Sequence, residues 1–394
     1  MKSKNIIIYS IFCFLVVLFT IDTVTMALLG RHFYELLIPS QSADQSPADK
    51  SLAKCTDKNK IAAANESSAK EIRQLAQYQN LCNSFVTDEV MIFTDMPKDD
   101  KVAAQNAADM ANNLKQFGQY GIKPLVIAEP VTAWGLVDFD EFKNGFYDRW
   151  IDTYFSELKK NGITDAQMGT WVPFPEANLP YWNHANAKPE DFGPIVNKYL
   201  GAMKKYFPNA QGSVMLNSAT YDSEDFDWRN GEYLSLIPYV SKVDKKLVSS
   251  FGLQGFPWAP QATDTGASVT DASEFLNHRL AIEAANVLKV NKIWYNTGTF
   301  RRKYTDDANN SIIISPEERL LILNSIEEEA LITKNNGFEV SLNIFAQDKS
   351  KATEATDWSY LPEQGAQSSK DALVFTEFVN DLQKKGIHLS MFDR

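Results

Sequence analysis

The sequence is poor in the groups that mark metal, redox and phosphate chemistry. It has four histidines, His32, His184, His278 and His388, none at ligand spacing from another. That excludes a histidine-based zinc site, so no metal is expected. It has three cysteines, and Cys13 follows Phe12 rather than the small residue a lipoprotein site needs. There is no Gly-Lys-Ser/Thr phosphate loop and no G-x-G-x-x-G turn, so no nucleotide cofactor is expected. Positive charge is also short: 39 Lys and Arg stand against 50 Asp and Glu, a net charge of −11. Phosphate binding needs clustered cations, so nucleic acid is excluded as a partner.

Long apolar runs are scarce too, and the one present is at the N-terminus. Lys2 and Lys4 precede NIIIYSIFCFLVVLFT, which continues into IDTVTMALLG. Together these reach the roughly 20 residues a bilayer requires. The basic flank predicts the N-terminus inside and the bulk of the chain outside. Residues 1–30 therefore read as an uncleaved membrane anchor. A cleaved signal on a secreted protein is the alternative, though no clean small-x-small site is present. Residues 31–85 read as a stalk or linker, rich in Ser, Ala, Asp and Lys, with a helix from about Ser67 to Gln79. Cys55 and Cys82 flank that helix on the outer side in this topology, where a disulfide can form.

What the chain has in quantity is aromatics (24 Phe, 15 Tyr and 8 Trp) and a repeating pattern from residue 86 onward. Short apolar runs alternate with longer segments of helical period. The runs are VMIFTDMP (90–97), PLVIAEP (124–130), QMGTWVPFPE (167–176), GSVMLNSATY (212–221), KLVSSFGLQGFPW (246–258), KIWYNTGTF (292–300) and FEVSLNIFAQ (338–347). They are continuously apolar, the mark of a parallel sheet covered by helices. Ser315-Pro316-Glu317-Glu318 carries an N-cap, a first-turn proline and a capping acid; Asp271 with Glu274 does so more weakly. A C-terminal helix is expected around 370–385. Residues 86–394 thus read as an α/β domain, a (β/α)8 TIM barrel preceded by the membrane anchor and stalk. Seven units are visible, and the eighth is expected on the N-terminal side, within 28–88. An open doubly wound sheet is the competing fold, but it lacks its glycine-rich first turn.

In such a barrel the active site lies at the C-terminal ends of the strands. Those ends carry Asp95, Glu129, Glu176 with Asn178, Asn217 with Tyr221, Gln254 with Trp258, Asn296, and Gln347 with Asp348. Trp134, Trp182, Trp228 and Trp358 fall in the loops that follow. Rings stack on the apolar faces of sugars while acids and amides bond their hydroxyls, so a carbohydrate is the expected partner. Glu176 and Glu129 are the candidate catalytic residues; Asn178, Trp182, Gln254, Trp258, Asn296 and Trp358 are candidate substrate contacts. Glu129 precedes a proline and could equally bind a turn amide. Arg301-Arg302-Lys303 forms a local basic rim, either a solvated loop or a contact for an acidic sugar.

The segment WVPFPEANLPYWN resembles the acid/base strand of clan A glycoside hydrolases, most closely family 26, the β-mannanase-like enzymes. The resemblance spans roughly residues 86–365. It implies that the chain cleaves O-glycosidic bonds, that Glu176 is the general acid, and that VMIFTDMP, PLVIAEP, FGLQGFPW and KIWYNTGTF are barrel strands two, three, six and seven. Two departures stand out. Pro175 replaces the histidine usual before the acid, and Asn296 replaces the nucleophilic glutamate of strand seven. An amide cannot form the glycosyl-enzyme intermediate in the usual way. Three readings of Asn296 follow: an inverting or otherwise altered hydrolase with Glu129 or Asp348 as the base; a non-catalytic carbohydrate-binding barrel serving polysaccharide synthesis or export; or another acid in the nucleophile's place. As an acid, Glu176 is expected to sit against an apolar wall.

Overall fold

In the computed structural model, the described residues are 89–96, 99–119, 122–129, 131–132, 135–179, 188–218, 235–257, 272–299, 303–305, 311–345, 348–349, 356–357, 360 and 370–392. The anchor, the stalk, Cys55 and Cys82 lie outside them. Eight parallel strands close into a barrel. They are β1 (Glu89–Asp95), β2 (Lys123–Glu129), β3 (Thr170–Pro173), β4 (Gln211–Asn217), β5 (Ser250–Gln254), β6 (Lys292–Thr297), β7 (Glu339–Phe345) and β8 (His388–Phe392). Seven of them are the apolar runs of the sequence. The eighth corrects the expectation of an N-terminal strand: it is HLSMF at the C-terminus, pairing with β7 through Ser341↔His388 and with β1 through Val90↔Met391.

Six longer helices cover the barrel: α1 (Asp100–Gln119), α2 (Asp148–Lys160), α3 (Pro189–Tyr206), α4 (His278–Leu288), α5 (Pro316–Asn335) and α6 (Lys370–Lys385). Their buried positions recur at helical spacing; in α1 they are Ala103, Ala107, Met110, Ala111, Leu114 and Phe117. The capping box read in the sequence is present at α5. Ser315 Oγ accepts from Glu318 N at 3.2 Å, and Ser315 N donates to Glu318 Oε2 at 2.9 Å. Asp271 lies outside the described residues. No helix among the described residues is long and apolar enough to cross a membrane.

Strand alternation separates two cores. Outward residues such as Val126, Val214, Phe251 and Ile293 pack under the helices. Inward residues Met91, Leu125, Ile127, Val172, Met215, Trp294 and Phe345 fill the barrel. Trp294 fits because the neighbouring strand carries Gly252 in register, and a Cβ there would overlap the indole ring. The indole Nε1 donates to Ser213 Oγ at 3.0 Å, so the one polar atom of that ring is satisfied inside the barrel.

The starts of α5 and α6 are tied by a fully buried guanidinium. Arg319 donates from Nη1 to Asp371 Oδ1 at 2.7 Å and from Nε to Thr299 Oγ1 at 3.0 Å. It lies 3.8 Å from the centroid of the Tyr360 ring. A four-stranded antiparallel sheet of residues 311–313, 303–305, 356–357 and 348–349 stands apart from the barrel strands. It takes in Asp348, which follows the end of β7 instead of terminating it.

Two predictions test this frame. A chain ending at Lys385 leaves β1 and β7 with open edges, and it is expected to lose the cooperative thermal transition of the full chain and to elute as aggregate. Gly252→Ala displaces Trp294 and should cost about 1–3 kcal/mol in urea denaturation.

Candidate functional site

Because all neighbours are parallel and paired residue by residue, inward residues form levels across strands. One level near the C-terminal end is almost wholly amide: Asn217↔Gln254, Gln254↔Asn296 and Asn296↔Asn343 are successive register pairs on β4 to β7. On the opposite side Asp95 pairs with Glu129, on β1 and β2. The mouth is therefore acidic on one side and amidic on the other.

Glu176 lies between these halves, just beyond β3. The chain there is held in an uncommon conformation: Phe174 (φ 53°) and Glu176 (φ 56°) both take the left-handed region, on either side of Pro175. Only one other non-glycine residue among those described, Lys289 at a helix end, does so. Each such residue costs about 1–3 kcal/mol and persists only where its surroundings enforce it. Here they do. The Phe174 ring is fully buried, with its centroid 4.8 Å from that of Phe142 and 5.4 Å from that of Phe139. Phe174 N donates to Ala128 O at 2.9 Å, whereas Glu176 N donates across to Met215 O at 3.1 Å. The turn carries the backbone from β2 to β4 within two residues and delivers the carboxylate to the amide side.

The contacts of Glu176 differ from the apolar wall expected of a general acid. Its Oε1 accepts from Asn217 Nδ2 at 2.6 Å and also from Gln254 Nε2. Gln254 Oε1 in turn accepts from Asn296 Nδ2. The result is a relay of amides, Asn296 to Gln254 to Glu176, with Asn217 as a second donor. Two N–H groups aimed at one carboxylate oxygen stabilise negative charge on it.

Asn178 is 5% exposed, and its amide bonds the neighbouring backbone. Its Nδ2 donates to Asn217 O at 2.8 Å, and its Oδ1 accepts from Asn217 N at 2.9 Å. This reciprocal pair fixes the residue that holds Glu176. Asn296 is 1% exposed, and its Oδ1 is buried without a hydrogen-bond partner among the described residues. Both polar atoms of its neighbour Asn343 share that condition. Phe345, two residues beyond Asn343, pairs edge-on with Phe256 at 6.1 Å and closes that side of the barrel. Asp95, Glu129, Glu176, Asn217 and Gln254 all keep some exposure, so the open side of the mouth is that of β1 to β5.

The structure thus brings Glu176, Gln254 and Asn296 into one network and sets Glu129 at the end of the adjoining strand. Trp182, Trp258 and Trp358 lie outside the described residues. Asn217 and Asp95 were outside the candidate set, although each ends its strand; their signal was inward alternation once the neighbours' register is known. No group of three His, Cys, Asp or Glu residues that could hold a metal ion occurs among the described residues.

No family model matches the sequence, and no curated protein matches it. Solved structures similar to the chain include a β-glucosidase from Thermotoga maritima, with 9% identity and a TM-score of 0.46 over 74% of this chain and 83% of that one. An endo-β-1,4-mannanase from Thermotoga petrophila has 12% identity and a TM-score of 0.43, over 76% and 71%. An exo-β-1,4-mannosidase from an Opitutaceae bacterium has 14% identity and a TM-score of 0.48, over 76% and 53%.

Asn178→Ala should lower stability by about 1–3 kcal/mol in urea denaturation, since it strips two hydrogen bonds from a nearly buried backbone.

Proposed function

We propose that the chain is a glycoside hydrolase that cleaves O-glycosidic bonds of a polysaccharide or oligosaccharide at the C-terminal mouth of the barrel. Glu176 and Glu129 are its working carboxylates. The observation that carries this reading is the carboxylate of Glu176, set on a left-handed backbone and gripped by Asn217 and Gln254. Strain of this kind gathers where a reacting group must be held in place before substrate arrives. The open side supports it: acids and amides suited to sugar hydroxyls sit beside the half-buried rings of Phe93 and Phe256. In the same proposal the barrel works outside the membrane, tethered through residues 1–30.

Hydrolysis needs one carboxyl group to protonate the leaving oxygen and a second carboxylate to activate water or attack the anomeric carbon. The second reading, a barrel that binds glycans without cleaving them, is favoured by one observation: Asn296, an amide, is buried below the Phe256–Phe345 pair.

The full-length chain in detergent is to be incubated with mannans, glucans, xylans and uronic-acid polymers, beside Glu176→Gln. The expected result is release of reducing sugar from one class of polymer, reduced at least about 100-fold in the variant. Binding without cleavage, unchanged in Glu176→Gln, would select the second reading.

A further inference from the structure

We infer that Gln254 is a positioning residue that holds Glu176 as an ionised carboxylate, so that Glu176 serves as the base toward water and not as the proton donor. This rests on the hydrolase reading above. It reverses the role that the sequence resemblance implies for Glu176.

Asn296 Nδ2 donates to Gln254 Oε1, so the amide of Gln254 has its oxygen committed and can present only Nε2 to Glu176. Asn217 is fixed independently: Asn178 clamps its backbone on both sides, and its Nδ2 also points to Glu176 Oε1. Both donors converge on the same oxygen from strands β4 and β5. Two N–H donors on one carboxyl group stabilise its ionised form more than its protonated form, whichever oxygen would carry the proton. The main chain that carries the carboxylate is fixed as well, since Glu176 N is bonded to Met215 O.

In the reaction, Glu176 takes a proton from water as the water oxygen bonds to the anomeric carbon. The bond from that carbon to the leaving oxygen breaks, and the leaving oxygen takes its proton from the carboxyl group of Glu129 on the adjoining strand. One water is added across one C–O bond, and the two carboxyl groups return to their starting states by proton exchange with solvent. Gln254 touches neither water nor sugar in this scheme and acts through Glu176.

Among the barrel strands, the other ionisable residues at this end are Asp95 from β1 and Glu129 from β2, and β4 to β7 contribute neutral amides; beyond the strands, Arg319 is paired with Asp371 next to Thr299, and Asp348 follows β7. Those carboxylates are common to wild type and variant, so a difference between the two isolates the amide.

The experiment is a pH titration of carboxyl-13C-labelled glutamate in the full-length chain, with the Glu176 signal identified by its loss in Glu176→Gln. In Gln254→Met, which keeps the volume and removes the donor, the Glu176 midpoint is expected to rise by about one pH unit. An unchanged midpoint would overturn the inference. Should that variant not fold, near-isosteric Gln254→Glu sets a second carboxylate against Oε1. The pair should then titrate in two steps, one proton being held to higher pH than in wild type; a single step at the wild-type midpoint would overturn the inference.

A kinetic arm uses dinitrophenyl and unsubstituted phenyl glycosides. Glu176→Ala is expected to lose turnover on both alike. Turnover kept on the dinitrophenyl glycoside alone would mark Glu176 as the proton donor and overturn the assignment. If wild type cleaves neither, the hydrolase reading and the base role fall together, while the titration still decides the positioning role of Gln254.

Discussion

The structure depends on the closure of eight parallel strands in continuous register. Closure removes every free edge among the barrel strands, and it also sorts side chains into levels, because residues paired across neighbouring strands face the same way. One level is packed by Met215 and Trp294 with Gly252 between them; the level above is amide. Chemistry placed two residues further along each strand is therefore carried on a rigid, filled plug. A shift of one residue in any strand would send its amide out under the helices and its apolar neighbour into the mouth.

That plug explains how the end of β3 can bear strain. Phe174 and Glu176 are left-handed on either side of a proline, and Phe174 is anchored among Phe139, Phe142 and Tyr199. The aromatic packing lies outside the barrel and the carboxylate lies at its mouth. Burial of the ring thus offsets the backbone cost of directing the acid. A comparable division of labour holds at the opposite side. Arg319, buried with Asp371, Thr299 and Tyr360, fixes the segment that follows β6. A buried charge set of this kind adds little net stability but penalises any arrangement that separates its members.

Seven strands, their helices and the capping box of α5 were legible in the sequence, because continuous apolar runs and helical spacing are local signals. The eighth strand was not. HLSMF is five residues long and alternates weakly; only pairing to both β7 and β1 makes it a strand. The site divided in the same way. Glu176 was readable as an acid set abruptly after an apolar run. The partners of that acid were not, since Asn217, Gln254 and Asn296 lie 41, 78 and 120 residues further along the chain and meet only through register. Asn178 read as a substrate contact because it is an amide two residues beyond a candidate acid; its bonds to the backbone of Asn217 appear only in the fold.

The amide at position 296 gains a physical meaning from this geometry. A carboxylate there would sit at the buried end of the relay, 1% exposed and in register with the neutral amide of Asn343. It would also bring a second negative charge against the relay that ends on Glu176. Burying a charge without a partner costs far more than burying an amide. Asparagine keeps the donor that orients Gln254 and adds no charge. Among the described strand ends, the carboxylates lie on the side of β1 to β3, where Asp95, Glu129 and Glu176 retain exposure. In the proposed hydrolase the reacting centre is thus displaced toward the first three strands, and the sixth and seventh strands orient rather than attack.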